Sequence, residues 1–197
     1  MDQITAAAIE VLDRDGLEAL TMRRIGAHLG VAAMSLYRHL PGRDAILSTV
    51  VNHLFATALA DLDAGPAWPE ALTAFAVAYR RMLLEHPNAV PLLATRPVDP
   101  DTAVPVLAVL LERFTAAGVA QDEALIRIQS VGVYTLGHAL AQVGAGGDTE
   151  DSRTGVTQDS ASLDYYQRWF DAGLQALVAG LELRQTPGQG AGTTAGA

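Results

Sequence analysis

The chain has 197 residues and 22 acidic against 13 basic side chains, a net charge of −9. Half of the residues are apolar, enough for a sizeable core in one large or two small domains. With no cysteine, disulfides and thiolate metal sites are excluded, and no apolar run approaches the ~20 residues of a membrane span.

Residues 3 to 15 are expected to be helical. Ile4, Ala8, Val11 and Leu12 share a face, and Gly16 follows as a stop. Nothing at Met1-Asp2-Gln3 has the basic start of a signal peptide, so a cytoplasmic location is expected. Thr21 is a good N-cap for a second helix. Leu20 and Ile25 stand at the two positions of a hydrophobic staple, and Ile25 and Leu29 share one apolar face. Gly30 suits the left-handed position just past that helix. A third helix is expected from about Ala32 to Leu40, with Leu36 and Leu40 inward. Two short helices joined by a tight glycine turn form a helix-turn-helix, whose second helix enters the DNA major groove.

Charge placement agrees. From Leu20 to Arg43 there is no Asp or Glu, while Arg23, Arg24, Arg38 and Arg43 all fall there. An acidic protein approaches DNA only through a locally basic face. A solvated helical hairpin inside an all-α domain is the other reading of the same pattern. Every basic residue is Arg, which favours bidentate phosphate and guanine contacts; genomic base composition explains that equally well.

Pro41-Gly42 breaks the chain, and a fourth helix is expected from Arg43 to about Asp63. Its stripe of Ile46, Leu47, Val50, Val51, Leu54, Ala58 and Leu59 keeps a helical period. Some 20 helical residues span roughly 30 Å, so this helix can begin in one domain and end in another. Further helices are expected over 68–86, 90–94, 102–117, 121–143 and 163–184. Gly144 to Ser162 is polar, Gly-rich and acidic, which suggests a mobile loop, and the sequence from Gly188 onward has the composition of a disordered tail. No strand-like alternation occurs, so the class is all-α. The expected division is 1–45 for a helix-turn-helix domain, 46–185 for a ligand-binding and dimerisation domain, and 186–197 for the tail.

Gly132, Gly137, Gly173 and Gly180 lie inside the last two long helices, where each costs about 1 kcal/mol against Ala. Such a cost is offset where another helix backbone comes close. The expected neighbour is the same helix of a second subunit in a two-fold dimer; close packing within the chain is the alternative.

The segment T-M-R-R-I-G-A-H-L-G-V-A-A-M-S-L-Y-R-H-L-P-G-R resembles the DNA-binding signature of the tetracycline-repressor (TetR) family. Trp68-x-x-x-Leu72, Leu83-Leu84-x-His86, Thr95-Arg96-Pro97 and S-V-G-x-x-T-L-G from Ser130 to Gly137 extend the likeness to the tetracycline-binding branch and its C-terminal domain. The match is weak between Pro97 and Gly118. The resemblance implies a homodimer held by a four-helix bundle of the two C-terminal long helices from each subunit.

It also implies site residues. Arg23 matches the arginine that reads guanine, a contact whose bidentate geometry is worth ~1–3 kcal/mol of discrimination. Thr21, Tyr37, His39 and Arg43 match positions that contact the DNA backbone and set register. A packed helix aromatic is the alternative for Tyr37. Ser35 can meet a base or a phosphate. Ala33 and Met34 depart from the Gln and Pro of the tetracycline-binding branch, so they can touch only thymine methyls. A double-stranded, roughly palindromic operator with half-sites about 34–36 Å apart is expected.

In the second domain, Leu92 replaces the histidine that ligates drug-bound magnesium, and Ala141 replaces an acid of the metal shell. Leu59 and Phe75 replace a histidine and an asparagine that hydrogen-bond the drug. Magnesium favours hard oxygen ligands and water, so magnesium-tetracycline is not expected as effector, and neither a metal nor a cofactor is. The candidate lining is Leu59, Phe75, Tyr79, Met82, Leu92, Thr95, Arg96, Leu110, Phe114, Val133, Tyr134 and His138, a wall suited to a small, largely hydrophobic effector. Each is equally readable as core; His138 as a satisfied core histidine, Arg96 as a brace for a turn.

Enzymatic function is not expected. Five histidines are scattered at 28, 39, 53, 86 and 138 with no nucleophile–base set, and the glycines at 144, 146 and 147 follow no strand. A small-molecule sensor of the same fold with weak or no DNA binding is the alternative to a repressor.

Overall fold

The computed structural model describes residues 2–147 and 160–183, and among them there is no strand. The expected tail lies wholly outside the described residues, and so does most of the expected loop. Ten helices are described: α1 Asp2–Asp15, α2 Met22–Leu29, α3 Ala33–Leu36, α4 Arg43–Leu59, α5 Trp68–Glu85, α6 Val90–Thr95, α7 Pro100–Val106, α8 Ala108–Ala116, α9 Gln121–Gly147 and α10 Ser160–Leu183. The class is all-α, as the periodicity required.

α1 buries Ala7, Ala8, Val11 and Leu12, and Ile4 is half-buried. It ends at Gly16, whose φ of 81° lies in the left-handed region and whose N–H donates to the Leu12 carbonyl at 2.9 Å. Leu17–Ala19 then makes a 3-10 turn. Thr21 caps α2 by accepting from the Arg24 N–H at 3.2 Å, and Gly30 closes it at φ 70°. The expected cap and stop are both found.

α3 is shorter than expected. Regular helix covers only Ala33–Leu36, and Tyr37–His39 continues as tightened turns, with the His39 N–H on the Leu36 carbonyl at 2.9 Å. Two local features account for this: Ala32 offers no side-chain cap, and Pro41-Gly42 follows directly.

α4 buries Ile46, Leu47, Val50, Val51, Leu54, Phe55 and Leu59, and stops at Leu59 rather than Asp63. The single helix expected over 102–117 is two, with the break at Leu107. Pro105 lacks the N–H that would bond the Asp101 carbonyl, and its ring crowds that turn. α9 and α10 run further than expected, to Gly147 and from Ser160, taking residues from both ends of the expected loop.

α5 is the central helix, packing on α4, α8, α9 and α10. Polar contacts join the first helices to the rest. Asn88 donates to the Leu12 and Asp13 carbonyls at 3.1 and 2.9 Å, capping the end of α1 from outside. Asp13 meets His86 at 2.8 Å. Arg96 donates to Asp44 at 2.7 Å and Ser48 at 3.0 Å, and Asn52 bonds Asp99. The ends of α1 and α4 are thus tied to the segment from His86 to Asp99.

Candidate DNA interface and effector site

The helix-turn-helix is held by a close backbone approach. A Cβ at Gly26 would lie 2.9 Å from the Val31 carbonyl oxygen and 3.3 Å from the Ala33 backbone, so only glycine lets α2 and α3 meet there. Position 26 was not singled out in the sequence, although its place four residues before Gly30 is a usable signal. On the outer face Thr21, Arg23, Met34, Tyr37, His39 and Arg43 are exposed, and Ala33 and Ser35 are half-buried. Met34 is 75% and Tyr37 46% exposed, so Tyr37 is not a packed core aromatic. The Ser35 hydroxyl donates to the Ala32 carbonyl at 2.6 Å, which strengthens the start of α3.

The four arginines of this face divide. Arg24 pairs with Asp15 at 2.8 Å, as does Arg14 at 2.9 Å. Hydrogen bonds from Arg14 and Arg24 hold the Asp15 carboxyl well below the usual carboxylate range. Arg43 donates to the Leu20 and Leu17 carbonyls at 3.1 and 3.0 Å, fastening the start of α4 to the turn before α2. Arg23 and Arg38 make no ion pair among the described residues. Among the described residues no carboxylate offsets Arg23, Arg38 or Arg43, and of these Arg43 is tied to carbonyls, which hold its position without cancelling its charge.

The twelve candidate lining residues do not form one wall. Leu59, Phe75, Tyr79, Met82, Leu92, Leu110 and Phe114 are buried. Phe75 stacks on Tyr79 at 5.8 Å between ring centroids, and Phe55 meets both edge-on at 6.5 and 5.9 Å. Phe114 stacks on Trp68 at 5.1 Å, and the Arg127 guanidinium lies 5.0 Å from the Trp68 centroid. Burial pushes the Tyr79 hydroxyl up to about 12, so it remains a neutral donor at any ordinary pH. Met82 borders a surface groove of 220 Å³ between α4 and α5, with Leu54, Ala58 and His86.

The remaining five point elsewhere. Val133 is 71% exposed on the outer side of α9. Thr95 is exposed and its hydroxyl donates back to the Pro91 carbonyl at 2.9 Å. Arg96 braces α4, not a turn alone. Tyr134 and His138 face α10: the Tyr134 hydroxyl donates to the Phe170 carbonyl at 2.8 Å, and His138 packs on Trp169 and Phe170 at 4.7 and 5.2 Å. Burial first, and then the Arg80 charge, hold His138 below its usual value, so the ring stays neutral.

Tyr134 also explains Gly173. A Cβ there would overlap the Tyr134 ring and hydroxyl, so Gly173 has a close neighbour within its own chain. Gly132 sits against the Phe75 ring, 3.8 Å from its nearest atom. An added Cβ at Gly137 or Gly180 would meet nothing within 4 Å. No packing among the described residues accounts for those two.

Arg80 was missed. It is 8% exposed and bridges three helices, donating to Gln167 at 2.7 Å and Gln142 at 2.9 Å, with its guanidinium 4.6 Å from the Phe170 centroid. Its spacing from buried Ala76 and Leu83 was the available sign, because i, i+4, i+7 is one helix face. Among the described residues no group of three or more His, Asp or Glu converges as a metal site, and no helix is long and apolar enough to cross a membrane.

Comparison with known proteins joins these two regions. Residues 4–50 match the family model described as bacterial regulatory proteins, tetR family, and residues 62–166 match the tetracyclin repressor-like C-terminal domain. An HTH-type transcriptional regulator of Saccharopolyspora erythraea is 31% identical, covering 91% of this chain and 83% of that protein. Tetracycline repressor protein class C of Escherichia coli is 29% identical, covering 92% and 90%. The crystal structure of BioQ with its double-stranded DNA operator superposes with a TM-score of 0.65 at 28% identity, covering 90% of this chain and 95% of that one. A helix-turn-helix with an outward arginine, followed by a domain of this likeness over nearly the whole length, admits one assignment: the chain belongs to the TetR family of bacterial regulatory proteins.

Proposed function

We propose that the chain is a homodimeric, ligand-responsive repressor, held on a palindromic operator and released when a small, largely hydrophobic effector occupies the C-terminal domain. The observation that carries this reading is α4. One buried helix begins beside the carbonyls that Arg43 clamps and ends against the Phe55–Phe75–Tyr79 cluster, so the two regions share a rigid element. We take residues 1–45 as the DNA-binding domain and 46–185 as the ligand and dimerisation domain, with α4 spanning the boundary.

Arg23 reads a guanine, and Thr21, Tyr37, His39 and Arg38 hold phosphates. Arg43 contributes chiefly by fixing α4 to the α2 cap. Ala33 and Met34 meet thymine methyls, and Ser35, whose hydroxyl is bonded to Ala32, positions the turn. The effector displaces or enlarges the aromatic cluster, with Leu59, Phe75, Tyr79, Met82, Leu92, Leu110 and Phe114 as its walls. That shift reaches the head through α4 and through the His86–Asp13 and Arg96–Asp44 contacts, with a coupling of about 1–3 kcal/mol. Methyls and rings at Leu59, Phe75 and Leu92 argue against magnesium-tetracycline. Micromolar binding of tetracycline with magnesium in calorimetry would overturn that exclusion.

Dimerisation is supported by two exposed stripes. Ile126, Val133 and Leu140 recur every seven residues on α9, and on α10 Trp169 is exposed, as is Leu183 one turn beyond the open Gly180. An apolar surface of this kind requires a cover. The protein is read as cytoplasmic and non-enzymatic.

The decisive experiment is a fluorescence-anisotropy titration with the DNA upstream of the protein's own gene across a salt series. Binding that weakens linearly in log K against log salt is expected. A chain that stays monomeric at high concentration and binds no duplex would overturn the reading. One observation favours a sensor with weak DNA binding: Arg24 and Arg43 are committed to internal partners, and Ala33 and Met34 offer no hydrogen bond. A folded dimer with no salt-sensitive DNA binding would establish it.

A further inference from the structure

A groove of 330 Å³ runs between α5 and α10, lined by Val77, Arg80, Arg81, Leu84, Glu85, Gln167 and Phe170. It shares no lining residue with the Phe55–Phe75–Tyr79 cluster, and it meets the Met82 groove only at Arg81 and Glu85 on its rim. Its apolar floor comes from Val77, Leu84 and Phe170. Val77 is an apolar side chain left 52% exposed at its edge.

The charges around it do not cancel. Arg81 has Glu85 one turn along at 4.0 Å. Among the described residues Arg80, buried to 8% exposure, has no carboxylate in contact: its two terminal nitrogens meet the neutral amide oxygens of Gln167 and Gln142, and its Nε is buried without a hydrogen-bond partner. Asp171 is the nearest acid by influence, but both its oxygens accept from Gln167 Nε2, at 2.9 and 3.0 Å, so one side chain stands between the opposite charges. His138, behind Arg80, is held neutral and adds no charge. A buried guanidinium whose contacts are all neutral carries a desolvation cost that a bound anion offsets.

We propose that this groove is a binding site for a small organic anion, an aryl or alkyl carboxylate whose charged end meets Arg80 and whose body lies on Val77, Leu84 and Phe170. The volume is near the lower limit of small-molecule sites, which restricts it to a compact ligand. Orientation follows from the neighbouring charges. The groove continues past Val77 into a second depression of 440 Å³ lined by Asp171, Leu174, Val178 and Glu182, where an anionic end is repelled and the apolar end is accepted. Because Arg80 ties α5 to both α9 and α10, an anion there acts on the packing of all three helices.

Calorimetry with 2-naphthoate and its neutral isostere 2-naphthamide, on the full chain, tests this. Naphthoate is expected to bind at least about tenfold more tightly than naphthamide, the margin of a charge-assisted contact. Gln167→Glu places a carboxylate of the protein against Arg80 from a residue that is already exposed. It is expected to lose naphthoate binding by about tenfold or more, with circular dichroism checking that the variant, which gives up the Gln167 donor to Asp171, is still folded. Leu84→Ala is expected to weaken both probes alike. Equal affinities for the two probes, unaltered naphthoate binding in Gln167→Glu, or no naphthoate binding to the parent would each overturn the proposal. Operator binding measured on the same samples keeps the two readings apart: a chain that binds DNA but not naphthoate loses only this site.

Discussion

The two ends of α4 lie in regions that use their side chains in opposite ways. In the helix-turn-helix the informative residues point outward: Arg23, Met34, Tyr37 and His39 are exposed, and the fold beneath them rests on backbone fit at Gly26 and on small aliphatic contacts. In the second domain the informative residues point inward: Phe55, Phe75 and Tyr79 pack on one another, Trp68 stacks on Phe114, and two buried arginines lie on rings, Arg127 on Trp68 and Arg80 on Phe170. A DNA surface must be complementary to a partner that is always a charged, wet groove, so it is polar and open. The aromatic cluster proposed as the effector site is dry and filled by its own rings. Substitutions in the first region should change binding without changing stability, and the reverse should hold in the second.

The largest test of that contrast is Phe75→Ala. Removing a ring that touches Phe55, Tyr79 and Gly132 is expected to cost about 3–5 kcal/mol of stability in denaturant titration. Operator affinity of the molecules still folded is expected to change by no more than the coupling of about 1–3 kcal/mol carried by α4. Gly26→Ala breaks the contrast deliberately, because it is a fold-determining site within the binding region. Its Cβ meets backbone, so a loss of about 1–3 kcal/mol is expected in thermal denaturation, together with operator binding. Arg23→Ala should leave the melting temperature within a degree or two, yet lower discrimination at one base position by ~1–3 kcal/mol in competition gel shifts. Gly180→Ala goes the other way. Open space around the added methyl and a better helix former predict a gain of up to about 1 kcal/mol for the isolated subunit. Analytical ultracentrifugation is expected to show a weaker dimer if a partner helix lies against that position.

The smallest effect concerns pH. His138 is held below its usual value in the folded chain, so below pH of about 6.5 the unfolded chain binds the proton more readily than the folded one. The stability this neutral ring contributes is complete above that pH and falls as the medium is acidified towards the folded value. A urea series from pH 7.5 to 5 should show the decline in the parent and a shallower one in His138→Phe. An unchanged slope would mean that the ring accepts a proton in place.

What was legible in the sequence was local. The Thr21 cap, the Gly30 stop and the inward faces of α1 and α4 all follow from residues within one or two turns of each other, whereas the roles expected of Arg23 and Tyr37 came from the resemblance. Short-range geometry fixes such relations before any long contact forms. The split at Leu107 was legible too, through Pro105, and was passed over because the apolar period continues across it. Amphipathic spacing identified which residues are buried but not where they are buried, which is why Val133, Tyr134 and His138 were placed beside Phe75 although α9 turns them outward or towards α10.

The chain's own order of residues thus determined the helices, their breaks and a cationic reading face. Only tertiary structure decided that Gly173 makes room for Tyr134, that Arg43 bonds carbonyls 23 and 26 positions away, and that Arg80 meets Gln167 across 87 residues. Periodicity specifies the face of a helix, whereas partners across such separations are chosen by how rigid helices pack, and no local pattern encodes that choice.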